Sequence, residues 1–232
     1  MKILIAGDSH GEKGILWVDE QITKYNADCG IICGDVWDVW TRTKNEIAII
    51  RGNHEKEEAW TKKLFGPNII PHQDYSTFTL GGKRFGVIGR MDEDAHQYML
   101  KAGWWLGDAD NRAFTKYEMS QVKGLLKNID VLLTHDAPFP FLIAEDGMMG
   151  GAPNTVGSHY LRDVLFVTQP QYAWHGHMHA YQERRIADVK VFGLPCSDVS
   201  FNNRGFCILD TQDMSVETIL INKPRSAEIN EY

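Results

Sequence analysis

The sequence predicts an α/β fold with its functional site at the carboxyl ends of the strands. Three observations carry that expectation. Short apolar runs alternate with segments whose apolar residues recur at helical spacing. One run, Cys29-Gly30-Ile31-Ile32-Cys33, is apolar throughout, as in a parallel strand covered on both faces. Five of the runs end in clusters rich in aspartate, asparagine and histidine. In open α/β sheets such strand ends converge on one crevice.

Residues 2–6 read as the first strand, and 13–25 as a helix with Ile15, Leu16, Val18 and Ile22 near one face. Residues 29–33 and 47–50 are further strands. Residues 56–65 read as a helix stopped by Gly66 and Pro67. Residues 76–80 and 84–89 form a hairpin across Gly81 and Gly82. A helix over 115–127 leads to a strand over 130–134, and a helix over 157–167 to a strand over 171–174. The tail, 182–221, reads as three short strands. Residues 90–114 and 137–156 carry no such pattern, and loops of that length in a compact domain are usually functional. No repeat or linker interrupts the chain, so residues 1–232 are expected to form a single domain.

Net charge is −7, from 24 Lys and Arg against 31 Asp and Glu, and no basic block is present. That argues against a broad cationic face for long nucleic acid. A small phosphate-bearing substrate is still compatible, because bound cations supply local positive charge. No 18-residue apolar run occurs, so no membrane-spanning helix is expected. The N-terminus lacks a charged segment followed by a long apolar one, so no secretory signal is expected either. Cys29 and Cys33 sit four residues apart in one strand, a span of about 13 Å that no disulfide bridges. Buried, reduced cysteines and a cytoplasmic location follow as expectations.

The polar clusters carry the chemistry. Residues 7–11 read GDSHG, with Asp8 and His10 on one side of an extended chain. GDVWD brings Asp35 and Asp38, and RGNHE brings Asn53, His54 and Glu55. HDAP brings His135 and Asp136, and HGHMH brings His175, His177 and His179. Imidazole, carboxylate and amide oxygen together suit divalent cations: Mn²⁺, Fe²⁺, Zn²⁺, Ni²⁺ or Co²⁺. Two carboxylates leave four positive charges undersaturated, and the surplus attracts phosphate.

The order D-x-H, G-D-x-x-D, G-N-H-E, H and G-H-x-H resembles the calcineurin-like metallophosphoesterase family. The resemblance implies a four-layer α/β/β/α sandwich with the metal site at the carboxyl ends of the strands. It implies that Asp8, His10 and His179 bind one cation, that Asn53, His135 and His177 bind a second, and that Asp35 bridges them. His54 is then the catalytic residue, contacting the phosphate and protonating the leaving oxygen. Asp38 and Glu55 are expected to orient a ligating imidazole, as metal sites require. Asp136 and His175 read as structural neighbours. Neither Ser9 nor any cysteine is needed as a nucleophile, and Cys33 is the cysteine expected nearest the cluster.

The activity implied is hydrolysis of a phosphate ester by hydroxide bridging two divalent ions, Mn²⁺ before Fe²⁺, Zn²⁺, Ni²⁺ or Co²⁺. A phosphodiester substrate, nucleotide or nucleic-acid-derived, is favoured. Val39 and Trp40 follow Asp38 where the protein phosphatases of the family carry Arg-Gly, so their phosphate-clamping arginine is missing. Trp104 and Trp105 in the first long loop are expected either to stack a nucleobase or to plug the loop onto the core. Arg90 reads as a phosphate contact or a surface salt bridge. The alternatives are a phosphomonoesterase of the same fold and a non-catalytic metal-binding scaffold for protein interaction. No membrane partner is expected, and the oligomeric state stays open.

Overall fold

Most central strands are buried on both faces, because each of two sheets is covered once by the other sheet and once by helix. The computed structural model describes residues 1–37, 40–55, 60, 65–93, 113–114, 118, 122, 124–143 and 154–221. In the first sheet β1 (Lys2–Ala6), β2 (Cys29–Cys33), β3 (Ile47–Ile50) and β4 (Ile69–Pro71) run parallel. β15 (Arg204–Asp210) joins β1 antiparallel, and β16 (Ser215–Ile221) closes that edge. In the second sheet β6 (Lys83–Ile88), β9 (Val131–Thr134), β12 (Tyr172–His175) and β14 (Val189–Gly193) run parallel. β5 (Thr77–Leu80) and β13 (Gln182–Ile186) flank them antiparallel.

Side-chain alternation assigns the layers. In β1, Ile3 and Ile5 point to the core between the sheets, and Leu4 and Ala6 to the outer face. β2 repeats the pattern, with Ile31 and Cys33 inward and Ile32 outward. Period-two alternation with both faces apolar is what a doubly covered strand requires. Helix α1 (Glu12–Lys24) covers the outer face of the first sheet with Ile15, Val18 and Ile22. Helix α2 (His159–Thr168) covers the second with Leu161, Val164 and Leu165. The inter-sheet core also buries Trp174, stacked on Phe192 with centroids 5.2 Å apart. The result is the four-layer α/β/β/α sandwich that the sequence predicts, and the central strands β1, β2, β3, β9 and β12 end in the predicted polar clusters.

Elements differ from expectation where they are short or polar. The tail holds four strands, not three, because β13 reads QERRI and its polarity hides a sheet edge. β4 is three residues long and ends at Pro71, which only an edge strand tolerates. The two long patternless stretches contribute β7 (Met91–Asp92) paired with β8 (Ala113–Phe114), and β10 (Phe141–Ile143) paired with β11 (Asn154–Val156). Most of 56–65 and 115–127 lies outside the described residues, as do Asp38, His96, Tyr98, Trp104, Trp105 and Met148 through Gly151.

His72 follows β4, and its ring stacks on Phe78 of β5 at 3.8 Å, joining edges of the two sheets. Burial lowers its pKa from 6.5 to about 4. The unfolded chain therefore takes up this proton near 6.5 and the folded chain only near 4. Stability from neutral His72 is complete above that window and is lost as pH falls through it. His72→Phe keeps a ring on Phe78 and removes the proton site. Its urea midpoint is expected to drop less than that of the wild type between pH 6.5 and pH 4; equal drops would place the acid sensitivity elsewhere.

Candidate metal centre

Three loops of the first sheet meet two of the second. His10 N–H donates to the Asp35 carbonyl at 2.8 Å, joining the loops after β1 and β2. Both Asp8 carboxylate oxygens accept the His177 backbone N–H, at 3.0 and 2.9 Å, joining the first sheet to the loop after β12. Asp35 Oδ1 accepts the His54 N–H at 3.2 Å. The His135 ring lies between the Cys33 carbonyl, 3.0 Å from Nδ1, and Asn53 Oδ1, 2.8 Å from Nε2.

Two glycines of the motifs have a direct geometric cause. A Cβ on Gly34, whose φ is +95°, would fall 2.2 Å from His135 Nδ1. A Cβ on Gly52 would fall 2.1 Å from Asp35 Oδ1. A bare backbone lets the imidazole and the carboxylate into the crevice. His10, Asp35, His177 and His179 all have positive φ, between 46° and 62°. Left-handed backbone costs a non-glycine residue about 1–3 kcal/mol and collects at functional sites. Here it bends three chain segments so that their side chains point at a common volume.

Ligand atoms of Asp8, His10, Asp35 and His179 all lie within 4.8 Å of one another, and so do those of Asp35, His135 and His177. Asp35 belongs to both groups. Asn53 adjoins the second through His135. His10 Nε2 and His179 Nε2 are 2.9 Å apart. His54 stands beside the groups, with Nε2 3.7 Å from Asp35 Oδ2 and its side chain 24% exposed.

This donor set fits divalent cations. Asp8 and Asp35 are buried, and among the described residues their ion pairs are with histidines alone. Burial by itself raises Asp8, but His179, His135 and His10 outweigh it and hold the carboxyl well below its usual range. Burial lowers His135, yet Asp35 and Asp8 push it up to about 9. His177 goes the other way, down to about 3, through burial and the neighbouring His135. His179 Nδ1 is buried with no hydrogen-bond partner among the described residues. Carboxylates, imidazoles and an amide oxygen facing one another without lysine or arginine suit borderline and hard cations.

Neighbouring residues differ from expectation. Glu55 does not orient an imidazole. Its two oxygens accept the backbone N–H groups of Trp37 at 2.8 Å and Gly52 at 2.5 Å, tying the loops after β2 and β3. Burial and Asp35 push its pKa up to about 8. Arg90 takes the salt-bridge alternative, buried rather than at the surface: it pairs with Asp74 at 2.9 Å and Glu118 at 2.8 Å. Asp136 accepts the backbone N–H groups of Asp92 and Ala137. Cys33 meets the cluster through its carbonyl, while its side chain sits in the inter-sheet core.

Three residues were not read from the sequence. Cys196 Sγ lies within 4.8 Å of ligand atoms of His10 and His179. The signal was available, because residue 196 follows an apolar strand, as the other clusters do. Trp37 stands edge-on to His10 at 5.5 Å, and Phe201 lies 6.0 Å from His10 and 5.3 Å from His179. No local pattern signals these two, since their contacts cross the chain.

Residues 1–181 match the sequence model of the calcineurin-like phosphoesterase family. No curated protein sequence matches the chain. One solved structure superposes with a TM-score of 0.64 at 11% identity, over 94% of this chain and 98% of its own. A putative 5′-nucleotidase from Staphylococcus aureus, solved with alpha-ketoglutarate, gives 0.56 at 15% identity, over 100% of this chain and 56% of its own. GAP50, the anchor in the inner membrane complex of Plasmodium, gives 0.53 at 14% identity, over 98% of this chain and 90% of its own. At such identities the structural likeness is one of fold. The matched span takes in the five strand-end loops that build the donor groups, and the chain belongs to the calcineurin-like phosphoesterase family.

Proposed function

We propose that this protein is a phosphodiesterase that depends on two divalent cations, acting as a single domain on a nucleotide or a nucleic-acid-derived ester. The observation that carries this reading is the membership of Asp35 in both donor groups. Asp8, His10, Asp35 and His179 hold one cation, and Asn53, His135, His177 and Asp35 the other, with Mn²⁺ the first choice. Two such ions supply Lewis acidity to the phosphoryl group and acidify water.

The chain's own residues do the rest. His54 is the general acid. Its backbone is pinned by Asp35 Oδ1, and its Nε2 stays near the cluster with part of the ring open to solvent. A proton on that nitrogen passes to the departing oxygen. No covalent intermediate is required: Ser9 is fully buried and the four cysteines are buried and free. Free buried thiols fit a reducing compartment, and the cytoplasm belongs to this reading. No helix among the described residues is long and apolar enough to cross a membrane.

The diester preference is supported by the rim. Trp37 is 43% exposed beside His10, and Phe201 flanks His10 and His179. Exposed aromatics beside a polar centre offer faces to a nucleobase or an aryl group. Arg90 is committed to Asp74 and Glu118. A monoester dianion needs extra cationic clamps more than a diester monoanion does, and a diester brings a second substituent that aromatic faces accommodate.

Three outcomes are expected. Asp35→Asn lowers bound Mn²⁺ from two per chain to below one after loading and desalting, read by elemental analysis. An unchanged pair of ions would remove Asp35 from the bridging position. His54→Gln keeps both ions and lowers kcat by ~10²–10⁴ on esters with poor leaving groups, with a smaller loss when p-nitrophenolate departs. Equal losses would exclude His54 as the acid. The wild type shows a higher kcat/KM for bis-p-nitrophenyl phosphate than for p-nitrophenyl phosphate, and Trp37→Ala raises KM for nucleotide diesters. A monoester preference would overturn the diesterase reading and leave the cation sites standing.

A further inference from the structure

We propose that Cys196 is a ligand of the first cation, so that this site takes a thiophilic metal. The proposal rests on the reading of His10 and His179 as ligands and adds a sulfur donor to it.

The backbone brings the thiol there. β14 runs parallel beside β12, so the chain leaving β14 emerges at the same end of the sheet as His175 and the loop to His179. Leu194 N–H donates to the His175 carbonyl at 2.9 Å. Ser197 N–H donates to the Asp8 carbonyl at 2.7 Å, and Ser197 Oγ donates to the carbonyls of Gly7 and Asp8, both at 3.1 Å. Cys196 Sγ is itself 3.1 Å from the Asp8 carbonyl. The residue is fully buried. A cysteine fastened this way to the loop that carries Asp8 and His10 has a fixed position relative to both.

The distances agree with one shared ion. Sγ and a ring nitrogen from each of His10 and His179 lie within 4.8 Å of one another. Zinc–sulfur and zinc–nitrogen bonds in tetrahedral geometry place two donors about 3.6 Å apart, a spacing inside the 4.8 Å span of these atoms. Side-chain adjustment within that span brings all three into one coordination shell. The Asp198 backbone N–H already points at Sγ, 3.4 Å away, an outer hydrogen bond of the kind that supports a ligating sulfur. On binding, the S–H bond breaks, its electron pair goes to the cation and the proton to solvent. A cation deprotonates a coordinating thiol outright.

The two sites then differ in chemistry. Sulfur ligands favour zinc and its like, whereas oxygen-rich sites suit Mn²⁺. Relative to the second site, the first is biased toward Zn²⁺ and Co²⁺. The second, built from Asn53, His135, His177 and Asp35, holds nitrogen and oxygen donors alone and accepts Mn²⁺.

The test is a Co²⁺ titration of the metal-free full chain, followed by absorption and independent of catalysis. The wild type is expected to show visible ligand-field bands and an intense near-ultraviolet band from thiolate-to-cobalt charge transfer. Cys196→Ser keeps an oxygen on the Asp8 carbonyl. It should keep the visible bands, lose the ultraviolet band and weaken Zn²⁺ by at least the ~10–100-fold seen when an outer partner of a ligand is removed. Cys196→Ala should lose the same band, and Cys33→Ser should retain it. Visible bands without the ultraviolet band in the wild type would overturn the Cys196 proposal alone. Survival of that band in folded Cys196→Ser would do the same. No Co²⁺ bound at any concentration would overturn the metal centre itself, and Cys196 with it. The wild-type spectrum decides the question even if a variant fails to fold.

Discussion

The constraint on which this molecule turns is a burial problem. Asp8, Asp35 and His135 are almost completely inaccessible at the ends of two sheets, with His177 and His179 beside them. Uncompensated buried charges cost several kcal/mol each, and no lysine or arginine ion pair serves either carboxylate among the described residues. His135 answers part of the demand by shifting up to about 9, while burial and His135 push His177 down to about 3 and keep it neutral. The rest of the structure is the apparatus that holds them in place.

The apparatus is mostly backbone. Left-handed residues at His10, Asp35, His177 and His179 turn each loop sharply at the strand end. Hydrogen bonds between loops then fix the turned positions: His10 N–H to Asp35 O, His177 N–H to Asp8, and Glu55 between Trp37 and Gly52. Glu55 is the instructive member. Burial near Asp35 raises its pKa and so disfavours its charge, and two backbone donors from different loops need an acceptor. A carboxylate has one oxygen for each.

These causes also explain which parts were legible in the sequence. β1, β2 and β3 were readable because doubly covered strands are continuously apolar, and α1 because Ile15, Val18 and Ile22 repeat at helical spacing. β4, β7, β8, β10 and β11 span two or three residues, too few for any period to show. β13 was hidden by its charges. Arg184 sits in that strand with its guanidinium 5.4 Å from the Phe141 ring and donates to the Pro138 carbonyl. The residues of the donor groups were legible because each motif sets chemistry-bearing side chains at the end of an apolar run. Glu55 was misread because an acid beside histidines suggests an imidazole partner, while backbone donors leave no trace in a sequence. The burial of the Arg90 salt bridge was not legible because its partners, Asp74 and Glu118, are distant in the chain.

The division of donors between the sheets has an energetic meaning. Asp8, His10, Asp35 and Asn53 hang from the first sheet, and His135, His177, His179 and Cys196 from the second. Each donor group draws on both sheets. A cation held by either group therefore joins the sheets at the open end of the inter-sheet core, where the apolar layer of Cys33, Ile50, Leu133 and Leu194 gives way to polar loops. Below that end, packing of Trp174 and Phe192 supplies the cohesion. Above it, the sheets meet through carboxylates and imidazoles. Binding and sheet closure are thus linked, because a ligand that favours the assembled arrangement stabilises it in proportion to its affinity. Under the proposed function, a hydrolytic site at this seam would gain rigidity from the same ions that would serve its chemistry.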